Sequence, residues 1–196
     1  MTDLPRTRSS LVLRLRDDRD GDAWRAFVDV YAPAVFAFAR RQGLQDADAA
    51  DVAQDVCRKV AAALRAGGYD AGRGAFRPWL FGVVRNELKM FWRTQGRHAR
   101  GTGDTDFLRV LAELPEPAAE ETWDLEVRRR LFSWACDRVR PTVAPATWQA
   151  FWILAVEGGD GEAAAHATGL TAAAAYLAKS RVLAKLRQAV AGMEEP

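Results

Sequence analysis

Four basic residues recur at four-residue intervals in VVRNELKMFWRTQGR, residues 83–97: Arg85, Lys89, Arg93 and Arg97, with Phe91 and Trp92 between them. On a helix a four-residue step advances about 40° past a full turn. The cations then form a slanting line beside the apolar row Leu80, Val84, Leu88 and Phe91. The one acid, Glu87, lies off that line and leaves it unneutralised. Such a stripe is either the solvated side of an amphipathic helix or a grip on a polyanion. The preceding YDAGRGAFR, residues 69–77, adds Tyr69, Arg73, Phe76 and Arg77 in a glycine-rich setting. Basic groups track phosphates and aromatic rings stack on unpaired bases, so a flexible basic-aromatic loop beside a basic helix suits single-strand capture. Trp79 and Trp92 are expected in the core, where large aromatics build small helical bundles.

A second constellation is acidic. Asp48, Asp51, Gln54 and Asp55 crowd the first turns of a helical segment whose later residues include Arg58, Lys59 and Arg65. That order compensates a helix macrodipole. The dense set at 51, 54 and 55 is also a docking patch for a basic protein surface. The residues alone leave both open.

The third lies in GEAAAHATGLTAAAAYLAKSRVLAKLRQAV, residues 161–190. A short helix, a turn at Gly169 and a second helix capped by Thr171 have the cadence of a helix-turn-helix. Leu177, Val182 and Leu186 are expected on its inner face. Tyr176, Lys179, Ser180 and Arg181 are expected outward, with Lys185 and Arg187 further along, where a recognition helix meets a major groove. A plain helical hairpin with solvated bases competes with that reading.

The elements positioning these residues read as helical throughout. Trp24, Phe27, Val28 and Tyr31 mark one face of a first helix, kinked or broken at Pro33 and ending near Gly43. A second opens at Asp46 or Asp48 with Val52, Val56, Val60 and Leu64 as its stripe, and AGGYDAGRG ends it. A third is expected from about 78 to 96, with Pro78 in its first turn. Phe107, Leu108, Leu111 and Leu114 suit a short helical turn. A last group begins near Trp123, with Leu125, Leu131, Trp134, Cys136 and Val139, then TWQAFWILAV after Pro145. The fold class expected is all-α: two small helical bundles joined by a linker, the second containing a helix-turn-helix.

Charge divides the 196 residues in the same way. Residues 1–98 hold 17 bases against 12 acids, residues 99–122 hold 2 against 6, and residues 123–196 hold 9 against 8. The expected division is therefore 1–98, a linker 99–122, and 123–196. Two isolated cysteines, Cys57 and Cys136, make neither a disulfide framework nor a CxxC site and suit a reducing compartment. Two separated histidines, His98 and His166, offer no metal set or catalytic triad, so no cofactor or metal is expected. No apolar run reaches a membrane span or a signal peptide, and the cytoplasm is the expected location. No paired carboxylates, nucleophile–base set or phosphate loop suggests an enzyme.

LQDADAADVAQDVCRKVAAAL followed by YDAGRGAFRPWLFGVVRNELKMFWR resembles the promoter-recognising first domain of bacterial sigma factors, nearest to the small extracytoplasmic-function type. PATWQAFWILAVEGGDGEAAAHATGLTAAAAYLAKSRVLAKLR looks like their second, helix-turn-helix domain. The resemblance implies a factor that binds core RNA polymerase and promoter DNA, selecting and opening promoters without catalysis of its own. It implies polymerase docking by Asp48, Asp51, Gln54 and Asp55, and capture of a flipped minus-ten base by loop 69–77. It puts Asn86, Lys89 and Arg93 on the minus-ten recognition and melting helix, and Tyr176, Lys179, Ser180 and Arg181 on the minus-thirty-five helix. An anti-sigma partner and the promoter sequence are left open. Cys57 stands where the family commonly has a large apolar residue, and Ala164, Thr168, Ala172 and Ala175 where it usually has larger ones. Each truncation removes core area worth about 1 kcal/mol or more, so the second domain is expected to be marginal alone. The competing function is a helix-turn-helix regulator that binds duplex DNA without polymerase.

Overall fold

The computed structural model describes residues 11–17, 19–98, 116–191 and 193. Among these, eight α-helices and two 3-10 turns form the architecture, and no strand occurs. They are α1 (Leu11–Arg14), α2 (Gly21–Arg41), α3 (Asp46–Arg65), α4 (Phe76–His98), α5 (Glu116–Val139), α6 (Pro145–Ala155), α7 (Gly161–Thr168) and α8 (Ala172–Ala191). Contacts group the chain into two compact units that part between Arg130 and Leu131, inside α5.

In the first unit α2 begins at Asp20, whose carboxylate accepts the Ala23 N–H at 2.9 Å and two hydrogen bonds from Arg14 at 2.8 Å. Arg14 holds the Asp20 carboxyl below the usual carboxylate range. Pro33 sits inside α2 without ending it, so the helix runs on as expected, and of the expected kink or break no break occurs. A proline in a helix interior costs about 3 kcal/mol. Burying each of Val30, Tyr31, Val35 and Phe38 gains roughly 1.5–3 kcal/mol, and that sum wins. Helix α3 opens at Gln45 with no side-chain cap, and Asp46, one of the two expected caps, is instead its first residue. Its stripe of Val52, Val56, Val60 and Leu64 is buried as the periodicity required. Gly67, at φ +70°, reverses the chain, and the Gly68 N–H closes on the Ala63 carbonyl at 2.7 Å. Helix α4 starts at Phe76, with Pro78 in its first turn, and packs on α3 through Leu80, Val84 and Leu88.

The first unit extends further along the chain than its expected end at 98. Trp123, fully buried, lies 5.9 Å from Phe38 edge to face and 6.0 Å from Phe81 in a stack. Glu126, also buried, pairs with Arg41 at 2.9 Å and Arg129 at 3.0 Å. The expected start of the second module at 123 therefore differs from the observed division: Trp123 completes the first unit's aromatic core. Residues 116–122 of the expected linker are helical. The expected turn around Phe107–Leu114 lies outside the described residues.

The second unit has two apolar clusters. One joins Cys136, Val139, Phe151, Val182 and Leu186, with Trp134, Trp148 and Trp152 against it. The other joins Ala150, Leu154, Ala164, Ala175 and Ala178, so α6, α7 and α8 meet largely through methyl groups. Asp160 caps α7 by accepting the Ala163 N–H at 2.9 Å, and Gly169 ends it at φ +70°. Thr171 caps α8 as expected, its hydroxyl accepting the Ala174 N–H at 3.2 Å. A Cβ at Gly161 would stand 2.7 Å from the ring of the exposed Tyr176, which would have to shift. No helix of the described residues is long and apolar enough to cross a membrane, and they hold no cluster of three or more His, Cys, Asp or Glu suited to a metal.

Candidate nucleic-acid interface

The acidic patch lies on the first turns of α3. Asp51 and Gln54 are exposed and make no hydrogen bond or ion pair among the described residues, whereas Asp48 and Asp55 are half-buried. Asp55 shares its carboxylate with Arg58, one helical turn on. The side chains of Asp51 and Gln54 thus face solvent on the N-terminal half of α3.

On α4 the basic line keeps its spacing but not a uniform environment. Arg85 is half-buried, with its guanidinium carbon 5.9 Å from the Phe81 ring centre. Asn86, Lys89 and Arg93 are exposed. Arg97 occupies a helical position, and its side chain lies outside the described residues. Glu87 turns inward and receives a hydrogen bond from Lys59 of α3. The only acid of α4 is thereby spent on a base of α3, and the exposed flank keeps its positive field. Phe91 and Trp92 are half-buried and meet edge to face at 5.1 Å, so neither is a freely offered platform.

Loop 69–77 departs most from expectation. Tyr69 and Phe76, expected to contact nucleic acid, are each only 3% exposed. Phe76 packs on Phe27 at 6.2 Å, Tyr31 at 6.0 Å and Tyr69 at 5.4 Å. The Tyr69 hydroxyl donates to the Gly74 carbonyl at 3.1 Å, which ties the loop to itself. Both rings are thus spent largely on packing, Tyr69 keeping one edge at the loop. The loop is not loose either: Asp70 accepts the Gly72 N–H at 2.9 Å, and Arg16 donates to the Tyr69 carbonyl at 3.2 Å. What the tied loop leaves is a cavity of about 540 Å³ walled by Gly67, Tyr69, Arg73, Gly74, Pro78 and Trp79. That size falls within the range of small-molecule clefts. Arg73 is exposed at it and reaches Asp70 at 3.6 Å, while Arg77 is half-buried. Trp79, half-buried and assigned to the core by residue type, is the wall the sequence did not announce. Its ring packs on Tyr69 at 5.3 Å and Phe76 at 5.4 Å, and no local pattern reveals which of three neighbouring aromatics lines the cleft.

On α8, Tyr176, Ser180, Arg181 and Lys185 are exposed. Lys179 is not outward: it is half-buried, and its Nζ donates to the Leu154 carbonyl at 3.1 Å. A cation on the free carbonyls at the end of α6 offsets that helix's negative terminus. Leu177, expected on the inner face, is 58% exposed. Ala175, Ala178, Val182 and Leu186 define the buried side, and Leu177 lies about 140° around the axis from Val182.

Residues 27–98 match the family model of Sigma-70 region 2. No curated protein and no solved structure gave a match. The match spans most of α2 and all of α3 and α4. Region 2 of sigma-70 factors is non-catalytic; it serves core-polymerase binding and the recognition and melting of minus-ten DNA.

Proposed function

We propose that this chain is a sigma factor of the extracytoplasmic-function type. Asp48, Asp51, Gln54 and Asp55 dock on core RNA polymerase. Asn86, Lys89 and Arg93, with Arg85 and Arg97 on the same line, hold the minus-ten strand as it opens. The cleft beside Trp79 and Arg73 receives an unpaired base, whose stacking on an aromatic wall offsets the cost of leaving the duplex. Arg77, with Arg73, contacts the same strand. In the second unit α7 and α8 act as a helix-turn-helix, with Tyr176, Ser180, Arg181 and Lys185 toward the minus-thirty-five duplex. Lys179 acts there by fixing α8 against α6. Polymerase supplies the chemistry, and this chain supplies position and strand separation.

The observation that carries this reading is the pairing of two faces on packed helices within the region 2 match. An undischarged acid-amide patch on α3 stands beside an α4 stripe whose only acid is withdrawn to Lys59. A duplex-binding regulator needs neither. Run-off transcription with purified core polymerase on fragments of the source genome tests it. Discrete transcripts that core enzyme alone does not start are expected. Duplex binding without core, and no added transcript, would instead favour the regulator.

A further inference from the structure

Helix α8 carries Lys179, Arg181, Lys185 and Arg187 and no acid, yet the middle of its outward face is apolar. Opposite the buried Ala175, Ala178, Val182 and Leu186 lie Ala173, Leu177 and Ala184, with the polar Ser180 and Gln188 beside them, all exposed. Leu177, at 58%, is the most exposed of the large apolar side chains among the described residues. With about 100° per residue, Arg181 and Lys185 flank Leu177 on one side and Arg187 and Tyr176 on the other. Lys179, drawn away to the Leu154 carbonyl, does not crowd the centre.

An apolar centre between two cationic margins complements one common surface. The major groove has phosphates along both walls, and its floor carries one apolar group, the C5 methyl of thymine. An acidic protein surface would match the margins but leave the leucine facing charge. We propose that Leu177 is a specificity residue that reads a thymine methyl in the duplex held by α8. This rests on the assignment of α8 to the upstream promoter duplex, and it adds the base that the helix prefers and the group through which it is sensed.

The test uses the full chain bound to core polymerase and a duplex selected by that holoenzyme from a random library. Each upstream thymine is replaced in turn by deoxyuridine, which removes only the methyl. At one or two positions the wild-type complex should lose about four-fold in affinity, the effect of one methyl-sized apolar contact. Leu177→Ala, whose exposed position spares the fold, should bind thymine and deoxyuridine duplexes alike. Wild-type indifference to every replacement, with Arg181→Ala still weakening the complex, would overturn the methyl reading and leave α8 on DNA. Indifference to the upstream sequence and to both variants would overturn the placement of α8 as well. Loss of core-polymerase affinity by Leu177→Ala without DNA would identify a protein contact and also overturn the proposal.

Discussion

Asp51 and Asp55 sit four residues apart with different surroundings: one is exposed without a partner, the other shares its charge with Arg58. Reversing both to Lys should abolish retention of core polymerase in a pull-down while helical content by circular dichroism stays unchanged. Retention at wild-type level would remove the docking assignment. Lys59 makes a different case, because its partner Glu87 is buried, with a side chain only 9% exposed. Lys59→Ala leaves that carboxylate unpaired and should cost about 1–3 kcal/mol in urea unfolding. Lys59→Met with Glu87→Leu should recover most of the loss, because an apolar pair removes the stranded charge. At this scale residue type was a partial guide. The cations of α4 were legible because charge almost never lies in a core unpaired. The burial of Phe76 was not legible because an aromatic ring serves core and stacking equally, and only the distant Phe27 and Tyr31 decide.

Helices were readable from apolar spacing, as the stripe of α3 and the first-turn Pro78 of α4 show. Their partners were not, since packing is set by residues far apart in sequence. Trp123 reads as the start of a second module from local composition, and only its stack on Phe81 assigns it to the first unit. Trp123→Ala should lower the stability of that unit by about 3–5 kcal/mol. Trp123→Phe should cost far less, since it keeps a ring there and removes an indole N–H that is buried without an acceptor among the described residues. Chemical denaturation followed by far-ultraviolet circular dichroism separates the two. Leu177 was misplaced for a related reason: in an alanine-rich helix the buried side is set by methyl groups, and a lone leucine does not mark it. In α5, burial and the neighbouring Asp137 push the Cys136 thiol up to about 11, from an ordinary value of 9.0. The folded state therefore holds that proton where the unfolded chain releases it. The stability it confers is complete below pH 9 and is lost as pH rises toward 11. The difference in urea midpoint between wild type and Cys136→Ala should shrink across that interval.

For the whole molecule, the proposed division of labour predicts separable defects. In holoenzyme, Lys89→Ala with Arg93→Ala should weaken promoter opening more than closed-complex formation. Permanganate reactivity of unpaired thymines, set against a gel shift of closed complexes, measures both. Equal loss would reduce these residues to phosphate contacts. That the chain has two parts was suggested by charge, basic then acidic then near neutral, and contacts also group it into two units. Where the parts divide was not legible, because α5 runs across the boundary with no break in composition.

The stack of Trp123 on Phe81 and Phe38 also means that side chains, and not chain connectivity alone, tie the start of α5 to the first unit. A protease site engineered into residues 99–115 would give two pieces held by the indole stack and by Arg41 on Glu126. After cleavage they should leave a gel-filtration column together and separate only in denaturant. The same arrangement offers a place to divide the gene: two half-chains, made separately and mixed, should reassemble through one tryptophan and one buried glutamate.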